Sequence, residues 1–249
     1  MDGFYSRLKE TILQLGKGKK LEEVIVGLGY IYVETGGEVP GLAYTFRFET
    51  DPTCSPLREA GTIKGRSVEE IAGWIYSNNL LKSGIAIATL NSSITPPENI
   101  TTGDITLLPE LGESSIIAMI GFFEPVAERL EKMGKTVYIF EKKNYEGRNF
   151  FTDSEIPEKL PKAEAVIITA TTLINRTFTE IIKFVREGAT AILLGPTAPL
   201  LPELYLDTPV KYIAGTVVTD REKVKQIIKE GAGSRVFGKS VKRVILPLS

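Results

Sequence analysis

AVIITATTLINRT (residues 165–177) and AILLGPTAPLLP (residues 191–202) are the two stretches of this sequence that predict its fold. Each begins with an aliphatic run typical of a buried strand and then changes to Thr, Asn, Gly or Pro where the strand should end. In open α/β sheets, ligands bind just beyond the carboxyl ends of the strands. The two stretches therefore predict a ligand-binding edge built from hydroxyls, amides and tight turns.

Outside these stretches, the second half of the sequence alternates between strand and helix patterns, which indicates a parallel sheet covered by helices on both faces. Thr177 and Asp220 each precede an amphipathic pattern and are predicted helix caps. Strands are expected over residues 115–121, 136–142, 165–169, 189–194 and 212–218, with a last short strand near Val244. Helices are expected over residues 125–133, 177–186 and 221–230. In the first half of the chain, Ser67 and Glu70 are expected to form a capping box at the start of a helix.

The first half of the sequence has a different pattern, in which strands and helices are grouped. Strands are expected over residues 24–35 and 41–49, and helices over residues 4–15, 67–76 and 84–94, with Asn78 and Asn79 ending the second helix. Residues 95–115 are rich in Pro, Thr, Gly and Glu and form the best candidate linker. The expected fold class is α/β: a small α+β domain over residues 1–102, followed by a Rossmann-like, mostly parallel sheet over residues 103–249.

The overall composition is that of a globular protein, because 43% of the residues are hydrophobic and 24% are charged. A net charge of -1 gives no general attraction to nucleic acid or to anionic membranes. No apolar stretch reaches the roughly 18 residues that span a bilayer, and the opening MDGFYSRLKE does not resemble a secretory signal. A cytoplasmic protein without nucleic-acid or membrane partners is expected. Its two glutamines among many Lys and Glu residues are typical of a thermophile.

The sequence contains no histidine and one cysteine, Cys54, which limits the chemistry of any site. Ser-His and Cys-His nucleophiles and imidazole metal sites are excluded, and no metal site within one chain is expected. Cys54 has no activating neighbour in the sequence and is interpreted as a packed thiol. Proton transfer would use Asp, Glu, Lys, Tyr, Cys54 or water, and no particular general acid or base is identified.

Two candidate site residues follow the first two strands of the predicted parallel sheet. Gly121 ends the first strand in IGFFEP, which lacks the G-x-G-x-x-G pattern of dinucleotide sites, and Glu124 would oppose a pyrophosphate. Gly121 therefore either allows close approach of a different ligand or simply forms a tight turn. Glu141 ends the second strand, where an acid commonly accepts hydrogen bonds from ribose. A solvated charge cluster with Lys142 and Lys143 is the alternative for Glu141.

The next candidates lie in the two loops that follow the quoted aliphatic runs. Thr171, Thr172 and Asn175 place hydroxyls and an amide after the strand at residues 165–169, and at least two of them are expected to contact a ligand. Gly195 allows close backbone approach, and Thr197 offers an amide and a hydroxyl; a purely structural turn is the alternative. A strand order of 3-2-1-4-5 would place Gly121 and Gly195 on the two walls of one crevice.

Three further candidates come from the first half of the chain. Tyr44 and Thr45 lie on a predicted strand, and Asn91 interrupts an otherwise apolar helix. A buried Asn needs hydrogen-bond partners. Asn91 is therefore expected either to satisfy a loop backbone or to reach the crevice, where Tyr44, Thr45 and Asn91 would close the site.

Several of these segments together resemble the putative heavy-metal-chelation family, in which an enolase N-terminal-like module precedes a Rossmann-like domain. The resemblance covers nearly the whole chain and is strongest in GLAYTFR (41–47), IATLNS (87–92), IGFFEP (120–125), IFEK (139–142), TATTLINRT (169–177), LLGPTAPL (193–200) and AGTVVTD (214–220). It implies one site formed by both domains and a Rossmann half similar to that of S-adenosylmethionine-dependent methyltransferases. It also implies condensation or hydrolysis of a pterin-, flavin- or siderophore-like molecule, or help in metal chelation.

Three functional hypotheses follow from these residues and from the resemblance. The leading one is an enzyme-like protein acting on a small heteroaromatic or nucleotide-like metabolite. The alternatives are a non-catalytic module that binds a metal–chelator complex and a methyltransferase-like protein that binds S-adenosylmethionine. Because the chain has no histidine and a lone Cys54, any metal is expected to arrive with a small chelator. No specific cofactor is identified, and a homodimer is expected only because most soluble oligomers are homodimers.

Overall fold

The computed structural model describes residues 3–47, 49, 55–142 and 148–248. Their strands form a three-stranded antiparallel sheet and an eight-stranded, mostly parallel sheet, and helices flank both. This arrangement confirms the predicted α/β fold class. The predictions for Cys54 and Lys143 concern residues outside the described ranges.

The small sheet is built from the first part of the chain and is covered by helices. Its strands lie in the order β1-β2-β3, and both pairs are antiparallel. The strands are β1 (Glu23–Val26), β2 (Tyr30–Glu34) and β3 (Gly41–Tyr44). The helices are α1 (Gly3–Leu15), α2 (Val68–Ala72) and α3 (Leu80–Ser93), with a 3₁₀ helix over Gly73–Tyr76 between the last two.

Three predictions for this part of the chain are wrong. The strand predicted over residues 24–35 is a hairpin, because the Gly27 N–H donates to the Tyr30 carbonyl over 3.0 Å and turns the chain. A Cβ at Gly27 would lie 2.5 Å from the Ile228 carbonyl oxygen, so this turn needs glycine. The strand predicted over residues 41–49 ends at Tyr44. Asn79 begins a helix rather than ending one, since its Oδ1 accepts the Leu81 N–H over 3.0 Å.

The large sheet contains the remaining strands in the order β4-β11-β10-β9-β8-β5-β6-β7. Six of them, from β10 to β7, are parallel, whereas β11 is antiparallel to β10, and β4 is in turn antiparallel to β11. The strands are β4 (Thr101–Thr102), β5 (Ile116–Ile120), β6 (Thr136–Phe140), β7 (Asn149–Phe151), β8 (Ala165–Thr169), β9 (Thr190–Leu194), β10 (Val210–Val218) and β11 (Val241–Pro247).

The helices of this second part lie mainly between the parallel strands. They are α4 (Pro109–Glu113), α5 (Glu124–Lys132), α6 (Ile156–Lys159), α7 (Phe178–Ile181) and α8 (Arg221–Lys229). Short 3₁₀ helices cover Ile105–Leu107, Asp153–Glu155, Leu160–Lys162, Ala170–Leu173, Ile182–Phe184, Pro202–Tyr205 and Gly238–Ser240. None of the helices in the described ranges is both long enough and apolar enough to span a bilayer.

The order of the strands in the large sheet changes direction at one point, and the two loops beside that point are not the pair that was predicted. Numbered along the chain, the six parallel strands run 3-2-1-4-5-6, the order of a classic doubly wound sheet. β7 was not predicted from the sequence, so β8 is the fourth parallel strand rather than the third. The reversal therefore lies between β5 and β8, and the loops after these two strands flank it directly. The loop containing Gly195, which follows β9, is one strand further away.

Of three predicted helix caps, two are present in the structure and one is not. Ser67 forms the expected capping box with Glu70, and Asp220 Oδ1 accepts the Lys223 N–H over 3.0 Å. Thr177 makes no side-chain cap, and its hydroxyl instead donates to Asn175 Oδ1 over 2.8 Å. This contact gives Asn175 a structural partner in the loop after β8.

One large hydrophobic core continues from the small sheet to the large sheet. At its centre, the ring of Phe4 in α1 lies 4.9 Å from the ring of Phe178 and 6.0 Å from that of Tyr205. Nearby, the hydroxyl of Tyr5 donates to the Thr172 carbonyl over 3.3 Å. The two sheets are therefore fixed against each other by shared apolar packing. The proposed division between residues 1–102 and 103–249 stays a prediction, and β4, just before it, pairs with the large sheet.

Candidate functional site

A cavity of about 520 Å³ lies at the carboxyl ends of β5, β6, β8 and β9, where β3 of the small sheet meets the large sheet. Eight of the ten residues named from the sequence line it: Tyr44, Gly121, Glu141, Thr171, Thr172, Asn175, Gly195 and Thr197. Thr45 and Asn91 do not. Segments far apart in the sequence thus meet at one cavity.

Gly121 and Glu141 together shape the turn after β5. Gly121 has a φ of +82°, and a Cβ there would lie 3.0 Å from Thr169 Cγ2, so both conformation and space favour glycine. Glu141 Oε2 accepts the Phe122 N–H over 3.3 Å, and Oε1 accepts the Lys142 N–H over 2.8 Å. A carboxylate has about four acceptor positions, so Glu141 braces this turn and still keeps acceptor capacity for a ligand.

The loop after β8 uses some of its polar groups internally. Thr172 is buried, and its hydroxyl donates to the Thr169 carbonyl over 2.7 Å. The hydroxyls of Thr169 and Thr171 lie 3.0 Å apart. Asn175 Oδ1 accepts the Thr177 N–H over 3.2 Å in addition to the Thr177 hydroxyl. Within the described ranges no acceptor binds Asn175 Nδ2, so this amide is the free donor of the loop.

Arg176, which the sequence analysis did not single out, holds this loop against the first part of the chain. Its φ is +61°, a left-handed conformation that is costly for a side chain larger than glycine. Its guanidinium donates to the Tyr76 carbonyl and to Asn78 Oδ1, the latter over 2.7 Å. These two contacts stabilise the turn that follows Asn175, so Arg176 helps to position Asn175 at the cavity.

The loop after β9 contributes an open glycine and a buried threonine. Gly195 has a φ of +126°, and no atom lies within 4 Å of the position that its Cβ would take. Thr197 is 2% exposed, and its Oγ1 accepts the Tyr44 N–H over 3.0 Å. The free edge of β3 is therefore hydrogen-bonded to the large-sheet part of the molecule at the cavity wall.

Asn91 and Thr45, which are expected from the sequence to close the site, do not line this cavity. Asn91 Nδ2 donates to the carbonyls of Leu42 and Thr197, over 2.8 and 3.1 Å, so it satisfies backbone as the alternative interpretation held. Its Oδ1 is buried without a described partner beside a separate cavity of about 20 Å³, enough for one water molecule. Thr45 is 4% exposed, and its hydroxyl has no described partner.

Aromatic rings form much of the remaining wall, and most of them were not identified from the sequence. The ring of Tyr44 lies 6.1 Å from that of Tyr30 and 5.2 Å from that of Phe46, both edge to face. Burial raises the pKa of Tyr44 above its usual value, and the nearby carboxylate of Glu49 adds to this rise. Tyr44 is thus protonated at neutral pH. Its hydroxyl has no hydrogen-bond partner among the described residues, which leaves it available to a ligand.

The charged residues that line the cavity are mainly acidic. Among the described residues, the carboxylates that line it are Glu49, Glu141, Asp153 and Glu180, against one basic residue, Lys142. Lys142 Nζ lies 3.7 Å from Glu49, and Lys183 lies 2.7 Å from Glu180. Clefts lined by one sign of charge concentrate ligands of the opposite sign. The cavity therefore favours a ligand that presents amines or positive charge.

The described residues do not provide the ligands of a heavy-metal ion. Within the described ranges no three His, Cys, Asp or Glu side chains are grouped closely enough to hold a metal. The sequence has no histidine, and its one cysteine lies outside these ranges. Soft metals prefer thiolate and imidazole ligands. The donor set therefore does not fit direct coordination of such a metal by the described residues.

Comparison with known proteins identifies the family. Residues 104–247 match the DUF364 family model and residues 8–94 match the DUF4213 model, both described as putative heavy-metal chelation. An uncharacterised protein of Methanocaldococcus jannaschii is 32% identical over 123 residues, which are 49% of this chain and 48% of that protein. The matched region thus spans about half of that relative.

Two crystal structures of DUF364 proteins of unknown function resemble the whole chain. The one from Pyrococcus horikoshii is 26% identical, with a TM-score of 0.84 and coverage of 98% of this chain and 99% of that one. The one from Desulfitobacterium hafniense is 20% identical, with a TM-score of 0.82 and coverage of 98% of both chains, and shows likeness of fold alone. With more than half of its residues matched by the DUF364 model, the chain belongs to the putative heavy-metal-chelation family.

Proposed function

We propose that the cavity between the two sheets binds a small planar heteroaromatic metabolite of the pterin, flavin, siderophore or nucleotide type. The observation that supports this most directly is the combination, in one cavity of about 520 Å³, of an aromatic wall with unused polar groups. Ligand sites typically have volumes of about 300–1,000 Å³ and a few polar groups that orient an otherwise apolar contact.

The aromatic wall suits a flat ring. Tyr44, the last residue of β3, and Phe46, two residues further on, line the cavity. Phe122 and Phe140, which follow or end strands of the large sheet, line it as well. Aromatic rings bury large apolar areas and pack edge to face or offset against other rings. A heteroaromatic ring inserted here would contact both parts of the chain at once.

The polar groups suit the edge of such a ring. Asn175 Nδ2 is the proposed donor to a ring carbonyl or ring nitrogen, and the Tyr44 hydroxyl is a second unused group. Glu141 is the proposed acceptor for ring amines or ligand hydroxyls. Thr171 is proposed to contact the same edge, and Gly121 and Gly195 to let the backbone approach the ligand.

A second candidate is non-catalytic binding of a metal–chelator complex. Two observations favour it: the lining of the cavity is acidic, and no cluster of described side chains could hold a metal ion by itself. In this proposal the small molecule supplies the metal ligands and the protein binds the organic part. Condensation or hydrolysis of the bound molecule is the reaction class implied by the family resemblance, and its products distinguish the first candidate from the second.

The test is to incubate the protein with a metabolite extract and separately with pterin, riboflavin, S-adenosylmethionine and a nickel–siderophore complex. Retained and altered molecules are identified by mass spectrometry, and affinities are measured by calorimetry. Asn175→Asp keeps an acceptor for Thr177 but removes the donor, and should weaken binding about tenfold. Asn99→Asp, at an exposed position, is the matched control. Retention of nothing from any source, or equal binding by Asn175→Asp and the parent protein, would contradict the proposal.

A further inference from the structure

A second cavity, of about 400 Å³, adjoins the candidate site. Six residues line both cavities: Tyr30, Phe122, Phe123, Leu194, Gly195 and Pro196. The space beside Gly195 is open, since nothing lies within 4 Å of the position its Cβ would take. The two cavities therefore share one wall, in which the position of a Gly195 side chain is unfilled.

A row of aromatic rings passes from one cavity to the other. Phe237, which lines the second cavity only, lies 5.4 Å from Tyr30 in the shared wall. Tyr30 lies 6.1 Å from Tyr44, which lines the first cavity only, and Tyr44 lies 5.2 Å from Phe46. The row offers a continuous surface to a ligand longer than either cavity.

The two cavities differ in charge. Of the residues that the structure describes, four carboxylates and one lysine line the first cavity, whereas three arginines and two carboxylates line the second. In the second cavity, Arg129 pairs with Asp104, and Arg235 pairs with Glu124 over 3.0 Å. Among the residues that the structure describes, Arg243 has no carboxylate partner. The second cavity thus has one guanidinium whose charge is not neutralised by an ion pair.

Donors other than Arg243 lie at the same place. Tyr30 and Ser234 both line the second cavity, and each carries a hydroxyl group. Burial raises the pKa of Tyr30, while Ser234 and the positive charge of Arg243 act in the opposite direction. Arg243 and Tyr30, a residue of the shared wall, therefore line the same cavity.

We propose, building on the function proposed above, that the ligand is elongated, with its ring in the first cavity and a carboxylate or phosphate tail at Arg243 in the second. A guanidinium binds either anion through paired N–H donors. The charges of the two cavities then match the two ends of one molecule, amine-bearing at the ring and anionic at the tail.

Matched ligand pairs test this proposal. Riboflavin and flavin mononucleotide share a ring and differ in a phosphate, and pterin and pteroylglutamate differ in a tail that ends in carboxylates. The tailed member of a pair should bind about tenfold more tightly, equal to about 1.4 kcal/mol. Arg243→Gln should remove this difference and leave the affinity for the untailed member unchanged. Lys242→Gln makes the same charge change at the neighbouring position of β11, outside both cavities, and should preserve the difference.

Each outcome decides a separate point. A larger effect of the phosphate than of the carboxylates, or the reverse, identifies the kind of anion and supports the proposal. Equal affinity for both members of a pair that binds overturns the anionic tail but leaves the proposed function standing. A preference for the tailed member that survives Arg243→Gln overturns the assignment to Arg243. Failure of all four compounds to bind overturns this inference, and the proposed function falls with it only if the metabolite extract also yields no retained molecule.

Discussion

Replacing Thr197 by valine should destabilise the whole protein, because this side chain joins the small sheet to the large one. Thr197 is 2% exposed, and its Oγ1 accepts the Tyr44 N–H over 3.0 Å at the free edge of β3. Valine has nearly the same shape as threonine, so Thr197→Val creates no cavity. It removes the acceptor and leaves the part-buried Tyr44 N–H without its partner.

The expected size of the effect follows from this geometry. A buried donor left without its partner costs about 1–3 kcal/mol. For a chain of this length, each kcal/mol lowers Tm by roughly 2–4 °C, so a loss of about 2 kcal/mol corresponds to roughly 4–8 °C. The Asn91 hydrogen bond to the Thr197 carbonyl uses the backbone and remains possible in the variant.

Urea unfolding at 25 °C, followed by far-ultraviolet circular dichroism, measures the change. Thr216→Val is the matched control: Thr216 is half-buried, and its hydroxyl makes no hydrogen bond among the described residues, so its loss should cost less than about 0.5 kcal/mol. Thr197→Ser keeps the acceptor and should recover most of the lost stability. Equal unfolding midpoints for Thr197→Val and Thr216→Val would refute the reasoning.

Two further predictions concern backbone conformation and pH. Gly195→Ala places a side chain at a φ of +126° and should destabilise the protein by about 1–3 kcal/mol. Gly73→Ala, at an exposed residue with a φ of -67°, should stabilise it by about 0.4–1 kcal/mol. Shifts of the urea midpoint in the same direction for both variants would contradict this. The hydrogen bond from Tyr212 to Glu110, 2.6 Å long, raises the pKa of Tyr212 to about 12. Because the folded pKa is raised, this stabilisation is complete below pH 10 and is lost as the pH rises to about 12. The stability difference between the parent protein and Tyr212→Phe should shrink over that range, and a difference independent of pH would exclude this linkage.

The sequence predicted the central strands well and the edges of the sheets poorly. The strand expected over residues 165–169 is β8 with the same bounds, because a run of aliphatic residues buried on both faces leaves little ambiguity. The edge strand β7 has three residues and no such run, so it was missed. The turn at Gly27 needs glycine because of the Ile228 carbonyl, a distant contact that no local pattern reveals.

For the candidate site, position was easier to predict than contact. Residues that follow the carboxyl ends of parallel strands lie at one edge of the sheet, and on this basis Gly121, Glu141 and Asn175 were expected together; they line one cavity. Whether a given group is free depends on tertiary neighbours. Thr172 uses its hydroxyl within the loop, and Asn91 binds backbone from two other segments. Neither set of hydrogen bonds could be predicted from the spacing of the residues in the sequence.

The continuous core has a consequence for how this protein unfolds. Two family models meet near residue 100, yet Phe4 at one end of the chain packs against Phe178 and Tyr205 beyond that boundary. A fragment cut there would expose an apolar surface that its missing half covers. Calorimetry of the intact chain should therefore show one heat-absorption peak, with the van't Hoff enthalpy equal to the calorimetric enthalpy, although two family models divide the chain.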